Sequence, residues 1–68
     1  MIFRIELAQE VDGRWIAEVL ELPGAMVYGA SREEATSRAK ALALRAMAER
    51  LEHGEAGSDL EGVAFRAA

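Results

Sequence analysis

Residues 21–35, ELPGAMVYGASREEA, contain the features that decide how this chain folds. The segment holds the only proline of the chain and two of its six glycines. Pro23 fixes its own φ and has no amide donor, while Gly24 can adopt a positive φ, so this pair predicts a turn. Residues 25–28 are then predicted to form a short strand that ends at Gly29.

The same segment predicts where a long helix begins. In an S-x-x-E capping box, the Ser31 hydroxyl accepts a hydrogen bond from the amide of Glu34, and the Glu34 carboxylate reaches back to the Ser31 amide. No helix-breaking residue follows before Gly54, which suits the position just after a helix end. We therefore predict a helix over residues 32–53.

One apolar stripe of this helix is predicted to lie on a sheet, because its residues recur at helical spacing. The stripe comprises Ala35, Ala39, Leu42 and Ala46. We expect Met47 and Leu51, which lie to one side of this stripe, to cover the end of the core.

Upstream of residue 21, two strands joined by a tight turn are predicted. Residues 2–8 and 14–20 flank Asp12-Gly13, a dipeptide typical of hairpins. A two-residue turn at Asp12-Gly13 pairs Val11 with Arg14. A type I turn with Gly13 in the left-handed bulge position pairs Glu10 with Arg14. The second register is favoured because it places the apolar residues of both strands on one face: Phe3, Ile5, Leu7, Trp15, Ala17 and Val19.

The favoured register points Ile16 and Leu20 away from the core. Two interpretations of these residues remain open. Single exposed apolar side chains are common on protein surfaces. A cluster of them instead marks an interaction surface, which for so small a domain means self-association. The candidate protein contacts are Ile16, Leu20, Met26 and Tyr28.

The whole chain of 68 residues is predicted to form one α+β domain. Its expected architecture is β-β-β-α-β, a small antiparallel sheet with one long helix on one face. The tail over residues 55–68 is expected to be partly flexible, with a possible short strand over 62–66. A chain this short buries a modest fraction of its surface and has no cysteine, so we expect a dimer or tetramer to add burial.

The composition argues against several classes of chemistry. The chain has no cysteine and a single histidine, His53, so no metal or cofactor site is predicted. Glu33 and Glu34 point about 100° apart on a helix and cannot act as a pair, and no catalytic residue is predicted. The net charge of −4 favours a basic protein partner over direct nucleic-acid binding.

The same composition bears on location and source. No apolar run is long enough to cross a bilayer, and the N-terminus lacks a signal-peptide pattern, so a cytoplasmic protein without membrane contact is expected. The absence of asparagine and the single glutamine are typical of a thermophile.

Three short segments, taken in order, resemble a known family. They are the turn Asp12-Gly13 followed by Trp15, the turn Leu22-Pro23-Gly24, and the helix start over residues 29–35, GASREEA. Their order and spacing over about residues 1–54 are similar to the HicB-like antitoxins of bacterial toxin–antitoxin pairs. Ala25 stands where that family often has cysteine, and Ala30 where aspartate is common.

The resemblance implies a helix packed on one face of a small sheet, oligomers, and a partner. That partner would be a small, basic, RNA-cleaving toxin whose catalytic surface is masked. Family members usually carry a C-terminal DNA-binding module, but only fourteen residues follow Gly54 in this chain, so no repressor role is expected. The alternative function is an orphan oligomeric domain that binds another protein or a small ligand.

Overall fold

The computed structural model of the chain describes residues 1–55 and 62–68, and these form one sheet with one helix packed on it. The elements in chain order are β1 (Ile2–Gln9), β2 (Trp15–Val19), β3 (Met26–Gly29), α1 (Arg32–Glu52) and β4 (Ala64–Ala67). The strand order across the sheet is β3-β2-β1-β4. The predicted α+β fold is therefore confirmed. No helix among the described residues is both long and apolar enough to cross a membrane.

The hairpin between β1 and β2 adopts the favoured register. Ile5 lies opposite Val19, and Leu7 lies opposite Ala17. The amide of Gly13 donates to the carbonyl of Glu10 at 2.9 Å, and Gly13 has φ of 93°. A side chain strongly disfavours this backbone conformation, so glycine at this position fixes the turn and, through it, the pairing of the strands.

The expectation of a wholly antiparallel sheet is wrong for β4. This strand pairs parallel to β1 while the other neighbours are antiparallel, so the sheet is mixed. The helix returns the chain to the end of the sheet where β3 began, so β4 runs in the direction of β3 and hence of β1. β4 spans Ala64–Ala67, slightly later than the predicted 62–66. The tail over 55–68 is expected to be partly flexible, and its residues 56–61 lie outside the described residues.

The core lies between α1 and one face of the sheet. Its buried sheet residues, each less than one tenth exposed, are Phe3, Ile5, Ala17 and Val19, and Leu22 joins them from the turn between β2 and β3. The helix contributes Ala35, Ala39, Ala43 and Met47. Beyond Ala39 the predicted stripe is displaced, because the buried row advances by four residues at each step to Ala43 and Met47. Leu42 and Ala46 are half-buried, and Ala46 packs against the edge of the core. Leu51 does not cover the core and is 59% exposed.

Both ends of α1 are capped as the sequence indicates, with one difference. The Ser31 hydroxyl accepts from the Glu34 amide at 3.0 Å, as predicted. The Glu34 carboxylate, however, reaches the amide of Ala30 at 3.3 Å, one residue before the expected Ser31 amide. At the other end Gly54 has φ of 69°, and the Glu55 amide donates to the Arg50 carbonyl at 2.8 Å, which completes a Schellman motif.

Gly29 sets the distance between β3 and the start of α1. A Cβ atom at Gly29 would lie 2.5 Å from the Ala35 nitrogen and 2.9 Å from the Ala35 Cα. These are backbone atoms of the helix, so they cannot move without moving the helix. The chain therefore requires glycine at position 29 for steric room rather than for an unusual φ.

We predict that Gly29→Ala destabilises the fold by about 1–3 kcal/mol, the usual cost of inserting a methyl group into a packed site. The measurement is the free energy of unfolding from urea denaturation. Gly62→Ala is the matched control, because a Cβ atom there meets nothing within 4 Å and Gly62 has no positive φ. Equal stability of the two variants would contradict the steric argument.

Candidate protein-interaction surface

The sheet face opposite α1, called here the outer face, has no element of the described chain packed on it. The strand registers define its members, since side chains alternate between the two faces of a strand. The outer face carries Ile2, Arg4, Glu6, Ala8, Ile16, Glu18, Leu20, Met26, Tyr28, Ala64 and Arg66. It is therefore a mixture of apolar and charged side chains rather than a wholly polar surface.

These side chains form four rows that run across the strands. The rows follow from the pairings of β1 with β2 and β4, of β2 with β3, and from the hydrogen bond of the Leu20 amide to the Arg4 carbonyl at 3.0 Å. In order along β1 they are Ile2 with Ala64; Arg4 with Leu20 and Arg66; Glu6 with Glu18 and Met26; and Ala8 with Ile16 and Tyr28. An apolar row therefore lies at each end, with one basic and one acidic row between them.

The four candidate contacts predicted from the sequence all lie on this face. Met26 and Tyr28 are 48% and 42% exposed, whereas Ile16 and Leu20 are half-buried. Ile16 is shielded because it lies between Ala8 and Tyr28 in its row. Their common placement makes one continuous surface from residues of two strands and a turn. That this surface is an interface stays a prediction.

The carboxylates near the hairpin and the strand ends are held by neighbouring arginines. Arg4 Nε lies 2.6 Å from Glu21 Oε2, and the Arg4 amide donates to Glu21 Oε1, also at 2.6 Å. The Arg4 side chain, followed by its amide, lowers the pKa of Glu21. In the hairpin turn, hydrogen bonds from the Arg14 amide and then its side chain lower the pKa of Asp12. Arg14 also covers the Tyr28 ring, at 4.7 Å from its centroid.

The two central rows place like charges side by side. Glu6 lies directly opposite Glu18, and Arg4 lies directly opposite Arg66. Of these four residues, only Arg4 has an ion pair within the described chain. Like charges opposite one another destabilise a sheet, and the pair of Glu6 and Glu18 has no ion pair within the described chain to offset its repulsion.

Two helix side chains bind backbone groups at the free edge of β3 and just after it. Arg38 donates to the Tyr28 carbonyl at 2.9 Å, and Glu34 accepts from the Ala30 amide at 3.3 Å. Glu34 and Arg38 also form an ion pair at 3.1 Å. Because unpaired backbone groups on an edge strand attract other strands, these side chains protect the edge.

The depressions of the surface bring together few side chains that could bind a ligand or a metal ion. One of about 140 Å³ lies between β4 and α1, lined by Ile5, Leu7, Thr36, Lys40, Phe65, Arg66 and Ala67. Its volume is below the range of ordinary small-molecule sites. His53 lines a separate groove with Glu49 and Glu55, and its Nδ1 lies 2.8 Å from the Glu49 carbonyl. Among residues 1–55 and 62–68, no group of three histidine or acidic residues could hold a metal ion.

The fold and the outer face define a small α+β domain in which a single helix leaves a broad sheet face exposed. Comparison of the chain with protein-family models, with curated proteins and with solved structures finds no significant match.

We predict that Glu21→Gln lowers the melting temperature near pH 7 but has little effect near pH 2. The folded pKa of Glu21 is depressed, so its ion pair with Arg4 contributes stability above the unfolded pKa of about 4.3. That contribution is lost as the pH falls through the lower folded value. Melting curves followed by circular dichroism between pH 2 and pH 7 measure the effect.

Glu52→Gln serves as the control, since Glu52 is exposed and has no ion pair within the described chain. Its melting temperature should follow the wild-type value at every pH. A Glu21→Gln deficit that stays the same from pH 7 to pH 2 would contradict the role given to this carboxylate.

Proposed function

We propose that this chain is a non-catalytic protein-binding module of the HicB antitoxin type. In this proposal it pairs with itself through the outer face, as a dimer or tetramer, and masks a small, basic, RNA-cleaving toxin in the cytoplasm. The observation that carries the proposal is the outer face, where exposed apolar side chains lie in rows with unpaired charges. Exposed apolar patches rimmed by polar residues mark interaction sites on small proteins.

The preference for a basic partner rests on the distribution of charge. The chain has twelve acidic and eight basic residues. Four exposed carboxylates lie off the outer face and have no ion pair within the described chain: Glu33, Glu49, Glu52 and Glu55. They stay accessible when outer faces pair, so they can meet a cationic partner while the chain is oligomeric. Charge complementarity of this kind raises association rates and selects partners.

The resemblance gives this partner its class. The segments around Gly13, Leu22-Pro23-Gly24 and residues 29–35 support the HicB-like assignment through their order and spacing. In the folded chain these segments form the hairpin turn, the turn before β3 and the helix cap, so all three serve the fold directly. They support a shared architecture, and the toxin partner is the functional part of the proposal.

We expect the chain to capture a small basic toxin encoded beside its own gene. Co-expression followed by affinity purification measures capture, and restored growth of toxin-producing cells measures masking. The complex should weaken as salt increases, because exposed charges are screened. An unrelated basic protein of similar size is the control, and it should not be retained. Failure to bind or neutralise the toxin-like neighbour would rule out the antitoxin function.

The double variant Glu49→Lys with Glu52→Lys tests the charge argument. It should weaken toxin binding about tenfold, which corresponds to a loss of ~1.4 kcal/mol. Cationic side chains suit the C-terminal end of a helix, so this variant keeps a stable α1. Unchanged affinity would show that these carboxylates do not face the partner.

A separate variant tests self-association. Leu20→Glu places a charge within the outer face and should reduce the sedimentation mass to that of a monomer. Leu44→Glu is the matched control, because Leu44 is 50% exposed and lies on α1, which packs on the opposite face. A wild-type monomer, or an oligomer that persists in Leu20→Glu, would show that the outer face is not the contact.

A further inference from the structure

Along β1, the outer side chains follow the same order from either end of the strand if basic and acidic residues are exchanged. Ile2, Arg4, Glu6 and Ala8 run apolar, basic, acidic, apolar. We propose that two copies of this chain pack outer face to outer face about a two-fold axis that crosses the strands between Arg4 and Glu6. This inference rests on the self-association in the proposed function, and it specifies the geometry of that contact.

In this arrangement β1 lies over the partner's β1 and runs antiparallel to it, so the outer residues of β1 meet their complements. Arg4 faces the partner's Glu6, and Glu6 faces the partner's Arg4. Ile2 faces the partner's Ala8, so apolar side chains cover apolar side chains at both ends of β1. An interface with two-fold symmetry requires this kind of self-complementary surface.

Charge repulsion argues against the alternative two-fold axis, which runs along the strands. A two-fold axis along the strands would set each row against its own copy. Glu6 and Glu18 would then face the same two carboxylates across packed sheets, which lie about 10 Å apart. Like charges brought together in an interface cost several kcal/mol. The axis across the strands instead places Arg4 of each copy against the partner's Glu6, which is an attractive pair.

The same contact relieves the repulsion within a single copy. Glu6 opposite Glu18 and Arg4 opposite Arg66 are unfavourable pairs in an isolated sheet. Arg4 engages Glu21 through Nε, yet its side chain stays 56% exposed, which leaves its terminal nitrogens for a second carboxylate. The partner's β1 therefore supplies an opposite charge to Glu6 and a second one to Arg4.

The size of the outer face sets the strength to expect. Four strands about 4.8 Å apart, with β1 eight residues long at about 3.3 Å each, span at most roughly 19 by 26 Å. Two such faces bury on the order of 1,000 Å², near the lower limit for a specific contact. We therefore expect a dimer that dissociates on dilution in the micromolar range.

The first test uses charge reversal with two full-length variants, Arg4→Glu and Glu6→Arg. Alone, each would face itself with like charges, so its dimerisation should weaken about tenfold or more. Mixed together, they should form a heterodimer, because Glu6 and the introduced glutamate of one meet Arg4 and the introduced arginine of the other. Analytical ultracentrifugation measures both steps, and circular dichroism checks that each variant is folded.

The second test leaves the charges unchanged. The chain contains no cysteine, so Ile2→Cys and Ala8→Cys each introduce one thiol on the outer face. A short bismaleimide should link the mixed variants about tenfold more efficiently than either variant alone, since these positions face one another across the proposed axis and like positions lie far apart. Both side chains are exposed, so the fold tolerates the substitutions.

Efficient cross-linking of Ala8→Cys with itself would overturn the proposal, because it identifies the axis along the strands. A mixture of the charge variants that remains monomeric while both are folded would also overturn it. A third outcome is that Leu20→Glu dissociates the oligomer while a mixture of Arg4→Glu and Glu6→Arg forms no heterodimer. That result would support self-association through the outer face and contradict the axis across the strands. Toxin capture is measured separately, so its failure leaves the result on the axis unaffected.

Discussion

The close contact between α1 and the sheet is the constraint on which the rest of the structure depends. Ala35, Ala39 and Ala43 are fully excluded from solvent, and Gly29 leaves no room for a side chain beneath the helix backbone. Small residues let the two layers approach closely, so one helix suffices to bury one face of the sheet. Nothing in the described chain covers the other face, so the outer face stays exposed.

The parts of the fold that depend on neighbouring residues follow from the sequence. Gly13 determines the hairpin because its positive φ selects a turn, and the turn then selects the register. Ser31 and Gly54 determine the helix ends because each cap involves atoms only a few residues apart. Ile16, Leu20, Met26 and Tyr28 follow from strand alternation alone, which is why the sequence brings all four onto one face.

The parts that depend on distant residues do not follow in this way. Beyond Ala39, several helix rows are almost equally apolar, and only the packing of the helix on the sheet shows that Ala43 and Met47 are buried more deeply than Leu42 and Ala46. The direction of β4 requires the path of the whole chain. The charge rows require the registers of three strand pairs together, so Arg66 could not be placed beside Arg4 beforehand.

The side chains bound at the edge of β3 affect how readily another strand can pair with it. Backbone hydrogen bonding along an edge accepts almost any extended segment, because every residue offers the same groups. Arg38 occupies the Tyr28 carbonyl and Glu34 the Ala30 amide just after the strand, so a segment that paired along this edge would have to displace both side chains. A chain that contacts this side of the sheet would therefore meet the side chains of Arg38 and Glu34 before the backbone groups they bind. An extended segment from another chain therefore gains fewer backbone hydrogen bonds at this edge than at an edge whose groups are all free.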